Sequence, residues 1–227
     1  MARYDRRDHY HQRAKREGFR SRAAYKLLEI QEREGLLREG QRVVDLGCWP
    51  GGWLQVASRA VGPRGLVVGV DRAEIEPRLE NENVVAICGD LEDPGICEQI
   101  LELLGGRPAD VVLSDAALRA RVLESLGGPA DVLLCDAAPK LTGVRPTDRA
   151  REEALLEAVE AALPSLLRPG GTLLLKILEG PEAQAIERRI RGRFERARAQ
   201  RPRASRKGTT ERYLLARGHR AAQSSES

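Results

Sequence analysis

The chain has 227 residues and a formal net charge of +4, with 41% hydrophobic and 32% charged residues. That length favours one large domain with a substantial core, and no apolar run approaches the roughly 18–20 residues of a membrane span. The opening MARYDRRDHYHQRAKREGFR is too polar for a secretory signal, so a soluble, cytoplasmic protein is expected.

Residues 1–20 read as a basic arm; positions 3–22 hold eight Arg or Lys against three acids. SRAAYKLLEIQEREG (21–35) predicts a helix with Ser21 as N-cap and Gly35 as stop. RVVDLG (42–47) predicts a strand, a glycine turn, and then the helix GGWLQVASRAV. LVVGVD (66–71) is a strand before a polar loop, and VVAICGD (84–90) a strand before the helix ICEQILELLGG. PADVVLSDAA (108–117) and PADVLLCDAAPK (129–140) repeat one another at an offset of 21 residues, so Asp115 and Asp136 occupy matching positions. The helix REEALLEAVEAALPSLL, the strand TLLLKIL (172–178) and the helix PEAQAIERRIRGRF follow. FERARAQRP and ERYLLARG close the series as a pair of strands, and 218–227 reads as a disordered tail.

Near-continuous apolar strands alternating with helices predict a doubly wound α/β domain, mostly parallel, with helices on both faces. It spans 21–217, with a duplicated segment near 108–138. The four cysteines lack the close pairing of a zinc site and read as small buried hydrophobes; no metal is expected.

Ligands of such sheets gather at the carboxyl ends of the strands. Asp45, Asp71, Asp90, Asp115, Asp136 and Lys176 all fall there. In VVDLGCWPGGW a strand, a turn with Gly47, Gly51 and Gly52, and a helix start combine close backbone approach with free N–H groups. Asp71, ending the next strand, suits two ribose hydroxyls, and Asp90 suits an adenine amino group. Together they favour an adenosyl cofactor, although Asp71 alone does not separate NAD from S-adenosylmethionine.

With these motifs the sequence resembles the FtsJ/RrmJ/RlmE-type ribose 2′-O-methyltransferases over roughly residues 10–217. RSRAAYKLLEI, VVDLGCWPGGW, DAAPKLTG, LRPGGTLLLKILEG and TERYLLA look like that family's landmarks. The resemblance implies a Rossmann-like methyltransferase fold with a seven-stranded sheet and S-adenosylmethionine as cofactor. It also implies a Lys–Asp–Lys–Glu tetrad, which falls on Lys26, Asp136, Lys176 and Glu211. Cofactor contacts would be Gly47, Gly51 and Trp53 in the loop, then Asp71, Asp90 and Asp136. Cys48–Trp49, where small residues are more usual, Lys140, and the extra 21-residue segment depart from the pattern.

Methyl transfer from a sulfonium is an in-line displacement, and a ribose hydroxyl needs alignment and help in losing its proton. Lys176 serves either as a neutral base or as a cation that steers the oxygen, with proton loss late. Taken alone it also reads as a strand-end lysine reaching for water. Asp136 would orient Lys176, and Lys26 and Glu211 would complete the charge network. Asp136 is preferred to Asp115 because APKLTG follows it as a loop, whereas AALRARVLESLGG reads as helix.

The basic arm and the stretch 188–207, with ten Arg or Lys against Glu195, would hold phosphates with little sequence reading. Resemblance implies a uridine ribose of large-subunit (23S-type) ribosomal RNA as substrate, and a monomer is expected because no exposed apolar face suggests otherwise. A tRNA ribose methyltransferase, a non-catalytic RNA-binding assembly factor and an NAD(P)-dependent oxidoreductase are the alternatives.

Overall fold

The computed structural model describes residues 9–90, 93, 95–105, 129–138, 144–177, 181–205, 209 and 211–220. Strands β1 (Arg42–Leu46), β2 (Leu66–Asp71), β3 (Val84–Cys88), β4 (Ala130–Cys135), β5 (Leu167–Ile177), β6 (Phe194–Gln200) and β7 (Arg212–His219) form a seven-stranded sheet. Their order is β3-β2-β1-β4-β5-β7-β6; only β7 runs antiparallel to its neighbours. The order reverses between β1 and β4, which opens a crevice at their carboxyl ends.

Period-2 alternation sorts the side chains into two cores. Val44, Leu46, Val68, Leu133, Leu173 and Leu175 face α4 (Ile96–Gly105), α5 (Arg145–Leu166) and α6 (Pro181–Gly192). Val43, Val67, Val132, Leu134, Leu174 and Leu215 face α1 (His9–Arg16), α2 (Ala24–Glu34) and α3 (Gly52–Val61). β1, β2, β4 and most of β5 and β7 are buried on both faces, as their continuous apolar runs require. β3 is the exception: it lies at the sheet edge and is only half buried.

Several boundaries differ from expectation for physical reasons. Ser21 is not the N-cap of α2; the helix starts at Ala24, and residue 23 is already helical with no side-chain cap. A 3₁₀-like turn leads in, the Ala24 N–H reaching the Ser21 carbonyl at 3.3 Å, while the Ser21 hydroxyl lies where a Cβ on Gly52 would collide with it. Gly35 does stop the helix, at φ 55°. The described part of the arm packs on the domain: Tyr10 lies against Tyr25 at 5.5 Å and the Arg13 guanidinium lies 4.6 Å above the Tyr25 ring. β7 runs two residues past the expected domain edge, because His219 is buried against Phe194 and bonds the Leu167 carbonyl at 3.0 Å. α5 begins at Arg145, six residues before the expected start. The first copy of the repeat, with Asp115, and Lys140 of the following loop lie outside the described residues. Among the described residues, no helix is long and apolar enough to cross a membrane.

The arginine-rich stretch divides in two. On α6, Arg189 pairs with Glu160 at 2.8 Å and Glu157 at 3.5 Å, and Arg191 with Glu187 at 2.7 Å. The Arg189 pairs staple α6 to α5 on the face away from α2, while the Arg191 pair lies along α6 itself. Only the part from Arg196 onward lies beside α2, where Arg198 pairs with Glu34 and Arg22 donates to the Ala204 carbonyl at 2.5 Å.

Candidate active site

Alternation also decides which polar groups meet. Lys176 shares the face of Leu174, and Tyr213 that of Leu215; Lys176 and Tyr213 are direct partners across β5 and β7. Cys135 pairs with Leu175, so the next residue of β4's run, Asp136, falls opposite Lys176. α2 crosses this same face and lowers Lys26 onto the row from above.

The four residues of the expected tetrad are in contact. Lys176 Nζ lies 3.1 Å from Asp136 Oδ1 and donates to the Asp136 carbonyl at 2.5 Å. Lys26 Nζ lies 3.1 Å from Glu211 Oε1 and 3.7 Å from Asp136 Oδ2. All four side chains are largely shielded from solvent, where paired charges interact strongly. Lys26 sits in the first turn of α2, an end that repels cations; Asp136 and Glu211 offset that repulsion.

Tyr213 belongs to the same network. Its hydroxyl donates to Asp136 Oδ1 at 2.5 Å and accepts from Lys26 Nζ at 2.9 Å. Burial, then the Asp136 and Glu211 carboxylates, push the phenol well above its ordinary value, so it remains a donor. Burial by itself would push Asp136 upward as well. Lys176, Lys26 and the Tyr213 hydroxyl outweigh it and hold the carboxyl below its ordinary value. Tyr213 was legible in principle, since positions 211 and 213 share a face of a strand, but tyrosine in an apolar run reads as core.

The glycine loop lies against this network. A Cβ on Gly47, at φ 79°, would come within 2.6 Å of the Ala137 Cα, so only glycine lets the β1 and β4 loops touch. Gly51, at φ 103°, precedes α3, whose first N–H groups have no acceptor within the helix. Trp53 is buried: its indole N–H donates to the Ala23 carbonyl at 2.8 Å and its ring packs 5.9 Å from Tyr213. Its side chain therefore braces α2 and β7, and only its backbone is left to meet a cofactor.

Asp71 accepts the Trp49 and Ala73 amides on different oxygens, each at 2.9 Å. Each oxygen keeps a lone pair for a ribose hydroxyl. Asp90 ends the same row and pairs with Arg72 at 2.8 Å. Asp45 is fully buried between them and Asp136, and both of its oxygens lack a partner among the described residues. An orphaned buried acid, two ribose acceptors and a glycine-lined crevice fit an adenosyl cofactor carrying a cationic end.

Burial, reinforced by Asp136 and Asp71, pushes Asp45 well above the ordinary carboxyl range. A carboxyl raised on folding favours the folded state most in acid, and stability falls as pH climbs above the unfolded value, by at most about 1.4 kcal/mol per pH unit for one proton. Asp45→Asn is therefore expected to raise the melting temperature of the cofactor-free protein, by a margin that widens as pH rises above about 4, the unfolded carboxyl value. Parallel melting profiles for the two proteins would contradict this assignment.

The profile of the FtsJ-like methyltransferase family matches residues 19–219. The ribosomal RNA large subunit methyltransferase E of Pseudomonas aeruginosa is 38% identical over 94% of this chain and 91% of its own length. Its namesake from Methanothermobacter thermautotrophicus is 40% identical over 93% and 89%. A Plasmodium falciparum ribosomal RNA methyltransferase superposes with a TM-score of 0.67 at 23% identity, over 90% of this chain and 100% of the other. Aeropyrum pernix fibrillarin, crystallised with S-adenosyl-L-methionine, gives 0.53 at 18% identity, over 87% and 74%. These two likenesses concern the fold.

Proposed function

This chain belongs to the FtsJ-like methyltransferase family, and on that premise we propose that it methylates the 2′-oxygen of a uridine ribose in large-subunit ribosomal RNA. The observation that carries the reading is the contact of Lys176 with Asp136 one strand away from the glycine loop. A non-catalytic assembly factor would have no need to keep two amines and two carboxylates packed together at a shielded site, and the loop lacks the glycine spacing of an NAD(P) enzyme.

Bound S-adenosylmethionine supplies the activated methyl group. Gly47, Gly51, the Trp53 backbone, Asp71, Asp90 and Asp136 are the residues that would hold it, and the unpartnered Asp45 suits its cationic end. Asp136, ionised and accepting from Tyr213, fixes Lys176 at 3.1 Å. With that carboxylate so close, Lys176 acts as a cation that steers the ribose hydroxyl and stabilises the charge growing on its oxygen. The hydroxyl proton leaves late, to water. Lys26 and Glu211 hold the network and the ribose in place. Arg196 and the arm residues Lys15 and Arg16 lie on the α2 side, where phosphates would be met by charge and not by base reading.

Mapping ribose methylation in cells with and without this protein tests the assignment. Loss of one 2′-O-methyl group from large-subunit RNA, with transfer RNA unchanged, is expected. Loss confined to a transfer-RNA anticodon loop would move the substrate to that class.

A further inference from the structure

Of the Phe, Tyr and Trp side chains among the described residues, Trp49 is the one that faces solvent, with 58% of its surface exposed. Tyr10 is half covered, while Phe19, Tyr25, Trp53, Phe194 and Tyr213 are buried. An indole left in water contributes little to folding. Its backbone is nonetheless held firmly: the Trp49 amide donates to Asp71, Cys48 is buried, and the Cys48 carbonyl takes the Gly51 N–H at 2.7 Å.

Strand order says what such an indole would meet. Along the carboxyl edge, Asp90 follows β3, Asp71 follows β2, Trp49 lies in the loop after β1, and Asp136 follows β4. The acceptor suited to the cofactor's adenine is thus two strands away from Trp49. Asp136 is one strand away on the other side, where Ala137 abuts Gly47. Counted along the strand order, the loop that carries Trp49 is therefore one strand from Asp136 and two from Asp90, with its indole open to solvent beside the site.

We propose that Trp49 is a stacking platform for a nucleobase of the RNA substrate next to the methylated ribose, an inference that rests on the ribosomal-RNA reading above. Every base has a π face, so such a contact holds a splayed nucleotide in register without demanding a sequence. It also supplies what the cationic side chains lack, a grip on a base and not only on the backbone.

The test compares wild type, Trp49→Ala and Trp49→Phe with labelled S-adenosylmethionine and large ribosomal subunits from cells lacking this protein. Trp49→Ala should raise the KM for subunits roughly tenfold or more, the effect of losing one base–aromatic stack. Trp49→Phe should recover most of it, and the calorimetric Kd for S-adenosylmethionine should match wild type in both. An unchanged KM for subunits in an otherwise active enzyme overturns the platform alone. Weakened S-adenosylmethionine binding with an unchanged subunit KM overturns it too, and makes the indole a cover for the cofactor. A wild-type enzyme that labels no large-subunit RNA removes the ribosomal reading and this inference together.

Discussion

Replacing Lys176 by methionine is expected to lower kcat by about a thousandfold or more, the size typical of losing a preorganised group aimed at developing charge. Methionine keeps the length and apolar stem of the side chain, so β5 and its pairing with β7 should survive. Lys26 still lies 3.7 Å from Asp136 and Tyr213 still donates to it, which leaves that carboxylate countered. Binding of S-adenosylmethionine should therefore persist, and the defect should appear in single-turnover methyl transfer. A variant within roughly tenfold of wild type would show that Lys176 is a structural lysine and that the steering charge comes from elsewhere.

Asp136→Asn should be nearly as damaging to transfer and worse for the fold. Its carboxylate meets Lys176, Lys26 and the Tyr213 hydroxyl at once. Removing it leaves two shielded ammonium groups with only Glu211 between them, a loss of about 3 kcal/mol by analogy with other broken buried pairs. The pH dependence has a defined sign. Because Asp136 is held below its unfolded value, its contribution is present at neutral pH and disappears as pH falls below about 4. The stability gap between wild type and variant should close in that range, as denaturant titrations across pH can check. Asp115→Asn is the companion measurement; it should leave transfer intact, and the reverse pattern would hand the role to the first copy of the repeat.

Much of this site was legible because strands obey a period of two. Asp45 and Lys176 lie within apolar runs, and Asp136 and Glu211 next to them, with a parity that puts all four on one face, and β4, β5 and β7 are neighbours. What escaped reading depends on packing between segments distant in sequence. Ser21 looks like a helix cap, yet its hydroxyl is pressed against Gly52 by the approach of α3. Arg189 and Arg191 look like phosphate contacts, yet Glu160 and Glu187 on the packed helices claim them. The Trp53 indole looks like part of a cofactor loop, but the loop's tight turn drives it inward against Tyr213. Exposure of Trp49 beside that buried tryptophan has no signature in composition or spacing.

The most direct measurement follows the label itself. Large ribosomal subunits lacking the modification are incubated with methyl-labelled S-adenosylmethionine and either wild type or Lys176→Met, and the RNA is then hydrolysed in alkali. A methylated 2′-oxygen cannot attack the adjacent phosphate, so wild type should leave the label in alkali-resistant dinucleotides, and the variant almost none. Label recovered in mononucleotides would mean a methylated base, and equal label from both proteins would mean that the Lys176–Asp136 pair does not carry the transfer.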